Sequence, residues 1–210
     1  MAPEAYLALA TSRVPALGAI CFTEHRLYPE DPALDETYAK LSEQYCVRIF
    51  KGIEADTNLG HLLIFGVTPE LRKRFDLTSR MLRADRLIEF VHDEGGIAVP
   101  AHPFRESGYG DRLDDLLSKL GPALSVVEAI NGQNTLQQNT DAVMACEKLG
   151  LTAVGGSDAH FATPRWFMTC ASRFEREVTS VAELCAELRA GRAQPYFFDE
   201  PSASTQTTDK

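Results

Sequence analysis

The stretch Thr-Ala-Val-Gly-Gly-Ser-Asp-Ala-His, residues 152–160, is the part of the sequence that most directly predicts the fold and its site. Its apolar start predicts a short buried strand, and the two glycines end that strand because they let the backbone turn without a Cβ clash. Asp158 and His160 follow at once. A carboxylate and an imidazole two residues apart, just past a strand end, are well placed to bind one metal ion. A single Asp-x-His pair is weak support, so this interpretation depends on the other histidines.

Outward from this stretch, apolar strands alternate with helices along nearly the whole chain. This alternation predicts an α/β fold with a largely parallel sheet. In a barrel of parallel strands, the residues that follow each strand gather on the C-terminal face. An open doubly wound sheet is the alternative, but the sequence contains no Gly-x-Gly-x-x-Gly or P-loop pattern that would support a nucleotide site. Strands are predicted at residues 17–22, 46–53, 61–67, 97–99, 125–130, 152–156 and 167–172, and helices at 3–13, 32–45, 78–94, 112–120, 135–149 and 180–190.

Length and charge restrict the class of protein. The chain of 210 residues is long enough for one domain with its own core, predicted at residues 1–198, while residues 199–210 have little to bury and predict a disordered tail. The formal net charge of −9 argues against a nucleic-acid-binding surface, which would need a basic stripe. A phosphorylated small substrate stays compatible with this charge, because local cations can override the global field.

The same survey suggests a location. The sequence has no apolar run long enough to cross a bilayer, so no membrane partner is expected. The first four residues lack the basic start of a signal peptide, which makes the cytoplasm the default compartment. The five cysteines are odd in number and scattered, which is typical of reduced cysteine and not of a disulfide framework.

Four of the five histidines lie at or beside predicted strands, together with two carboxylates. The fifth, His92, lies inside a predicted helix. Nitrogen and oxygen ligands without a thiolate suit Zn²⁺, Mn²⁺ or Fe²⁺. A metal in such a site lowers the pKa of bound water and supplies hydroxide at neutral pH, which predicts a hydrolase. The candidate ligands are His25, Glu54, His61, His102, Asp158 and His160.

Around these residues the sequence resembles the polymerase and histidinol phosphatase (PHP) family. The resemblance extends across residues 5–172 and rests on the order and spacing of five short motifs. It implies a distorted (β/α)7 barrel with two or three metals on its C-terminal face, and hydrolysis of phosphate esters. The motifs are Thr23-Glu24-His25, Gly52-Ile53-Glu54, Gly60-His61, Ala101-His102-Pro103 and Gly156-Ser157-Asp158-Ala159-His160.

The resemblance also implies a role for each ligand. Glu54 would bridge two metals, and His61 and His102 would complete one of the two sites. Asp158 would bind the other bridged metal. The remaining two histidines, His25 and His160, would belong to a third metal, so that one to three divalent ions are expected per chain. Asp158 or His160 could also transfer a proton during catalysis.

One feature of the family is absent from the sequence. Family members open with a strand that carries a His-x-His motif, and no such motif occurs anywhere in these 210 residues. We therefore expect the first barrel strand to be missing, either by truncation or by loss of catalysis. Only the site of Glu54, His61 and His102 would then be complete. The gap would expose unpaired backbone groups, so self-association through it is expected.

Three arginines lie in sequence close to the candidate ligands. Arg26 follows His25 directly, Arg105 comes three residues after His102, and Arg165 comes five after His160. Guanidinium groups match phosphate oxygens and stabilise charge that develops on a transferred phosphoryl group. The alternative is ordinary surface salt bridging. Arg105 is the best candidate for a catalytic role because of its place after the His-Pro motif.

The leading hypothesis is a metal-dependent phosphoesterase that acts on a small phosphorylated substrate through metal-bound hydroxide. A second hypothesis is a degenerate, non-catalytic PHP-like domain that binds a metal, a ligand or a partner chain. A third is an amidohydrolase-like enzyme that cleaves a C–N bond with the same hydroxide. The sequence does not identify the substrate.

Overall fold

The computed structural model describes residues 2–14, 17–105, 113–160 and 169–198. Arg165 and the predicted tail at residues 199–210 lie outside the described residues. The elements, in chain order, are α1 (Pro3–Arg13), β1 (Ala19–His25), α2 (Pro32–Tyr45), β2 (Arg48–Thr57), β3 (Gly60–Phe65), α3 (Pro69–Arg74), α4 (Ala84–Asp93), β4 (Ile97–Pro100), α5 (Leu113–Leu120), β5 (Val126–Asn131), α6 (Leu136–Leu149), β6 (Thr152–Gly156), β7 (Cys170–Phe174), α7 (Val181–Arg189) and β8 (Ala193–Phe197).

Local signals explain several helix ends. Asp31 caps α2 by accepting a hydrogen bond from the backbone of Ala33, and a proline stands at the first helical position. Thr135 and Gln138 form a capping box at the start of α6, and Gly150 ends that helix with a φ of 67°. These signals involve only neighbouring residues, so α1, α2 and α6 lie where the sequence predicts them.

The sheets contain both parallel and antiparallel strand pairs, and the α/β fold is confirmed. The first sheet has the order β1-β2-β3-β4, in which β1 and β2 are parallel while β3 is antiparallel to both of its neighbours. β5 pairs in parallel with β6, and β7 pairs antiparallel with β8. β4 also packs beside β5, and β6 beside β7 and β8. Among the described residues the hydrogen-bonded ladders thus fall into three sheets and do not close a barrel.

The antiparallel β3 corrects the prediction of a largely parallel sheet. A tight turn at Asn58 and Leu59 joins β2 directly to β3, and Thr57 Oγ1 donates a hydrogen bond across this turn to the carbonyl of Gly60. A hairpin reverses the strand direction, whereas a parallel neighbour would need a long crossover connection. The residue after the turn, His61, therefore lies at the same end of the sheet as the last residues of β1 and β2.

The helix predicted at residues 78–94 is shorter than expected. α4 begins at Ala84 because Leu82 pairs with the β2–β3 hairpin: its N–H donates to the carbonyl of Asp56, and its carbonyl accepts from the N–H of Asn58. Conversely, no helix was predicted at residues 69–74, where the structure has the short helix α3, capped by Thr68 through its Oγ1. β8 was not predicted, and it pairs with β7.

The first core cluster includes the apolar side chains that recur with helical period along α4. Leu87, Ile88 and Val91 are each at most 1% exposed, and they pack on the inner residues of the β2–β3 hairpin, such as Ile53 and Ile64. A second cluster joins β2, β4, β6 and α7. Among the described residues, no helix is both long enough and apolar enough to cross a membrane.

Candidate metal centre

Four elements bring the first group of predicted ligands to one end of the sheet. His25 is the last residue of β1 and lies opposite Glu54 in the parallel ladder. Glu54 lies inside β2 and not at its end, because β2 continues to Thr57. His61 lies near the start of β3, and His102 follows β4 with a left-handed φ of 34°. The structure therefore brings these predicted residues together, although β2 and β3 place them differently from a simple row of parallel strand ends. Their role as metal ligands stays a prediction.

Glu54 is the centre of the group. His61 Nδ1 lies 2.8 Å from Glu54 Oε1, and His102 Nε2 lies 3.4 Å from the same oxygen. His25 Nε2 lies 3.3 Å from the other oxygen, Oε2. One potential ligand atom from each of His25, Glu54 and His61 lies within 4.8 Å of the other two. Three imidazoles thus face a single carboxylate that is only 5% exposed.

The electrostatics keep this carboxylate charged. Burial by itself raises the pKa of Glu54, but hydrogen bonds from His102 and His61, together with the charge of His25, outweigh burial and hold the pKa well below its usual range. The hydrogen bond to Glu54 is also the main cause of the raised pKa of His61. Glu54 is therefore an ionised, desolvated oxygen donor at neutral pH, which suits a cation.

Asp158 and His160 form the second group. Both follow β6, and Asp158 takes a left-handed φ of 50°. His160 Nε2 lies 3.1 Å from His25 Nε2, which links this group to the first. Asp158 Oδ2 accepts a hydrogen bond of 2.7 Å from Arg105 Nη2 and another of 3.3 Å from Asn131 Nδ2. Asp158 thus faces the guanidinium of Arg105. His160 faces the first group, which consists of His25, Glu54, His61 and His102 (the Glu54 group).

The predicted arginines are engaged with protein acceptors. Besides Asp158, Arg105 donates to the side-chain oxygens of Asn131 and Asn134. Arg26 Nη1 lies 3.5 Å from Asp56 Oδ2. Arg105 therefore bonds within the site itself, and the acidic residues of the alternative, Glu106 and Asp111, lie outside the described residues. Arg165 lies outside the described residues.

Sequence reasoning missed four residues that line the site. Asp56 lies two residues after Glu54 on β2, and this period-2 spacing was a usable signal. Asn131 ends β5 and could have been found by the same rule that found His25. Gln133 donates to the carbonyl of Asp158 and lies 3.1 Å from His160 Nδ1. Glu128 lies within an apolar strand, so no sequence signal separated it from a chance polar residue.

Two buried atoms indicate that the group fits a divalent metal. Asp56 Oδ1 and His102 Nδ1 are buried and lack a hydrogen-bond partner within the described ranges. Three residues of the site, Arg26, His102 and Asp158, hold positive φ angles of 54°, 34° and 50°. Such strained backbone is found where a site demands it. The donor set of imidazole nitrogens and carboxylate oxygens is that of zinc, manganese and iron sites.

Comparisons with known proteins agree with this picture. The PHP-associated family matches residues 137–193. A lesion-specific endonuclease from Pyrococcus furiosus has a similar fold, with a TM-score of 0.64 and 17% identity, covering 90% of this chain and 52% of that chain. An amidohydrolase from Chromobacterium violaceum, solved with bound sulfate and no metal, is similar with a TM-score of 0.61 and 15% identity, covering 95% and 94%.

A third similar structure is a two-domain protein from Bacteroides vulgatus that contains a predicted PHP-like metal-dependent phosphoesterase. Its TM-score is 0.60 with 16% identity, and the match covers 90% of this chain and 60% of that chain. The present chain thus spans about 60% of the Bacteroides protein and about half of the Pyrococcus enzyme. No curated protein sequence matches the chain. The family match over residues 137–193 and the shared fold support the resemblance that the ordered motifs indicate.

Proposed function

We propose that the protein is a metal-dependent hydrolase whose metal is held by the Glu54 group. The observation that carries this proposal is the convergence of three imidazoles on one buried, ionised carboxylate. His25, Glu54 and His61 would hold the metal, with His102 as a further ligand. We place the strands β1 to β8 in the distorted (β/α)7 barrel of the PHP family, with β4 beside β5 and β6 beside β7 and β8 extending the ring that starts at the edge strand β1.

A divalent metal bound there would act as a Lewis acid and lower the pKa of a bound water. The residues of the chain supply the rest. Glu54 contributes the negative charge that holds the cation, and its burial excludes competing water. His160, which is partly exposed and lies 3.1 Å from His25, is the group that can exchange a proton with the leaving group. Asp158 is held in place by Arg105 and Asn131.

The substrate we propose is a small phosphorylated molecule. Arg26 and Arg105 lie on opposite sides of the group, one beside Asp56 and one beside Asp158. A phosphoryl group entering between them could pair with both guanidinium groups. Support comes from the phosphoesterase named in the Bacteroides protein. The unpaired state of all five cysteines supports a reducing compartment, for which we propose the cytoplasm.

The test combines metal binding with activity in one variant. His102→Ala removes an imidazole that is 3% exposed and 3.4 Å from Glu54, so metal affinity should fall at least tenfold and hydrolysis of an aryl phosphate should be lost with it. His92→Ala is the matched control, because His92 lies in α4 and its Nε2 is 3.5 Å from the backbone N of Ala98, apart from the site. Metal content is measured by elemental mass spectrometry after dialysis against Zn²⁺ or Mn²⁺. Unchanged metal and unchanged activity in His102→Ala would contradict the proposal.

A second candidate is a metal-binding PHP-like domain without turnover. It is favoured by the contact of 2.7 Å between Arg105 and Asp158, because the guanidinium supplies at this carboxylate the positive charge that a further metal would supply. In that case the wild-type protein would bind about one metal, but hydrolyse neither aryl phosphates nor amide substrates. Hydrolysis that depends on added metal would exclude this candidate.

A further inference from the structure

Asp56 faces the metal ligands from the side opposite to Glu54. The two carboxylates are two residues apart on β2, so both side chains project from the same face of the strand. Asp56 is 8% exposed, and its Oδ1 is buried without a hydrogen-bond partner in the part of the chain that the structure describes. A buried carboxylate oxygen without a donor is costly, and therefore needs an explanation in the chemistry of the site.

Two imidazoles lie between these carboxylates. His25 directs Nε2 to Glu54, at 3.3 Å, and Nδ1 to Asp56 Oδ1, at 3.9 Å. His61 directs Nδ1 to Glu54, at 2.8 Å, and Nε2 to the same Asp56 Oδ1, at 3.6 Å. The two rings stand edge to face, with centroids 5.4 Å apart. Each ring therefore presents one nitrogen to each carboxylate.

We infer that Asp56 is a positioning residue that fixes which nitrogen of His25 and His61 presents its lone pair to a metal. This inference rests on the proposed metal site. A neutral imidazole carries one N–H and one lone pair, and the hydrogen bond made by one nitrogen decides which role the other takes. In the metal-bound protein, Asp56 Oδ1 would accept the Nδ1–H of His25 and the Nε2–H of His61. The lone pairs of His25 Nε2 and His61 Nδ1 would then be available to a metal beside Glu54.

In the structure, His61 instead donates from Nδ1 to Glu54, at 2.8 Å. At 3.6 and 3.9 Å the contacts with Asp56 are longer than hydrogen bonds, whose N···O distance is about 2.7–3.2 Å. The contact of 2.8 Å is shorter than the roughly 3.4 Å that separates two donors sharing one tetrahedral metal with bonds of about 2.1 Å. A metal bound between them would therefore widen the separation of His61 from Glu54. Because Asp56 lies on the far side of the ring, that movement would shorten the contact with Oδ1.

The other groups around Asp56 leave this oxygen to the histidines. Arg26 Nη1 lies 3.5 Å from the other carboxylate oxygen of Asp56, Oδ2. The backbone carbonyl of Asp56 accepts from the N–H of Leu82, which fixes the strand at this point. The backbone and the Oδ2 atom of Asp56 are thus held by residues that are not candidate metal ligands. Oδ1 is therefore a fixed acceptor that faces the nitrogens of His25 and His61 directed away from Glu54.

The experiment compares the wild-type protein with Asp56→Asn and Asp56→Leu. Asparagine keeps an acceptor but loses the charge, whereas leucine has a similar volume and no acceptor. We expect Zn²⁺ affinity, measured by competition with a chromophoric chelator, to fall in the order wild type, Asn, Leu, with a loss of about 10–100-fold in the Leu variant. Glu177→Gln is the control, since Glu177 pairs with Arg48 at the far end of β2 and its loss removes an equal charge.

Nitrogen-15 spectra of the imidazoles give a readout that a purely structural role would not move. In the wild type we expect the proton of His25 on Nδ1, both in the metal-free protein at a pH well above the usual imidazole pKa and in the zinc-loaded protein. The proton of His61 should lie on Nδ1 in the metal-free protein, where Nδ1 is 2.8 Å from Glu54, and on Nε2 in the zinc-loaded protein. The Asn variant should keep these tautomers, and the Leu variant should lose them at His25 and, in the zinc-loaded form, at His61. The opposite tautomers in the zinc-loaded wild type would overturn the inference even if a variant failed to fold.

The outcomes separate this inference from the proposed function. A wild-type protein that binds no zinc would contradict the metal site, while the tautomer of His25 in its metal-free form would still decide whether Asp56 fixes that ring. A wild-type protein that binds zinc, together with a folded Leu variant of unchanged affinity and unchanged tautomers, would reject the role of Asp56 and leave the proposed function intact.

Discussion

Glu128 shows how strongly a single buried residue is affected by its surroundings. It is 4% exposed, and its Oε2 accepts hydrogen bonds of 3.0 Å from the backbone of His102 and 2.9 Å from Asn131 Nδ2. Burial is the main cause that raises the pKa of Glu128 to about 8, and the nearby charges of Asp158 and Glu54 act in the same direction. The side chain is therefore neutral at pH 7 and serves as an acceptor that holds the strained turn at His102.

This raised pKa predicts a pH-dependent stability. The folded protein holds the proton more tightly than the unfolded chain, whose glutamate titrates near 4.5. The stabilisation is therefore complete below about pH 4.5 and is lost as the pH rises to about 8. Glu128→Gln, which is neutral at every pH, should match the wild type near pH 5 and exceed its free energy of unfolding at pH 9. Urea unfolding of the metal-free protein at both pH values measures this difference.

Glu177→Gln serves as the control for this experiment, because Glu177 lies on the surface with its side chain 69% exposed. Its difference from the wild type should be nearly the same at both pH values. A constant difference between Glu128→Gln and the wild type from pH 5 to pH 9 would show that Glu128 is charged throughout, and would refute the prediction.

At the scale of elements, close backbone contact decides how the smaller sheets meet. β7 approaches β6 at Gly155, whose N–H donates to Ser172 Oγ and whose carbonyl accepts from the same hydroxyl. A Cβ on Gly155 would lie 2.6 Å from the carbonyl oxygen of Ala171, which is part of the backbone and cannot turn away. On the other side of β5, buried Asn139 in α6 makes two hydrogen bonds to the backbone of Asn131 and so fixes the end of the strand at the site.

The contact at Gly155 gives a prediction for Gly155→Ala. The added methyl group must push β7 away from β6, so the free energy of unfolding should fall by about 1–3 kcal/mol. Gly18→Ala is the matched control, because nothing lies within 4 Å of the added Cβ there. Urea unfolding followed by circular dichroism measures both variants. Equal stability of the two variants would show that the β6–β7 contact is not tight.

At the scale of the whole molecule, β1 is an edge strand of its sheet within the described part of the chain. It pairs with β2 on one side, and in that ladder Gly18 and Arg26 bond to β2. The alternation of a parallel ladder therefore turns the backbone groups of Cys21 and Thr23 to the outer edge. Edges with unpaired backbone groups favour pairing with another chain.

We accordingly predict self-association through the outer edge of β1. The formal net charge of −9 opposes the approach of two copies, so the dimer should be favoured at higher salt, where this repulsion is screened. Multi-angle light scattering at low and high ionic strength, over a range of protein concentrations, measures the mass. A monomer under all of these conditions would contradict the prediction.

The sequence by itself determined the α/β alternation, the ends of α1, α2 and α6, and the identity of the residues that meet around Glu54. These features depend on caps, apolar periodicity and the position of polar residues near strand ends, all of which are local. The structure brings the four strand-end histidines together with Glu54 and Asp158, as the sequence suggested. Their roles as ligands stay predictions.

Only the tertiary structure decided the direction of β3, the late start of α4, the pairing of Arg105 with Asp158, and the presence of Asp56 and Glu128 at the site. Each depends on contacts between residues that are distant in sequence or across a turn. Leu82 leaves a helical pattern because the hairpin offers it backbone hydrogen bonds. Glu128 becomes neutral because surrounding strands remove it from water. Long-range pairing and burial set these energies, and a local sequence pattern contains neither.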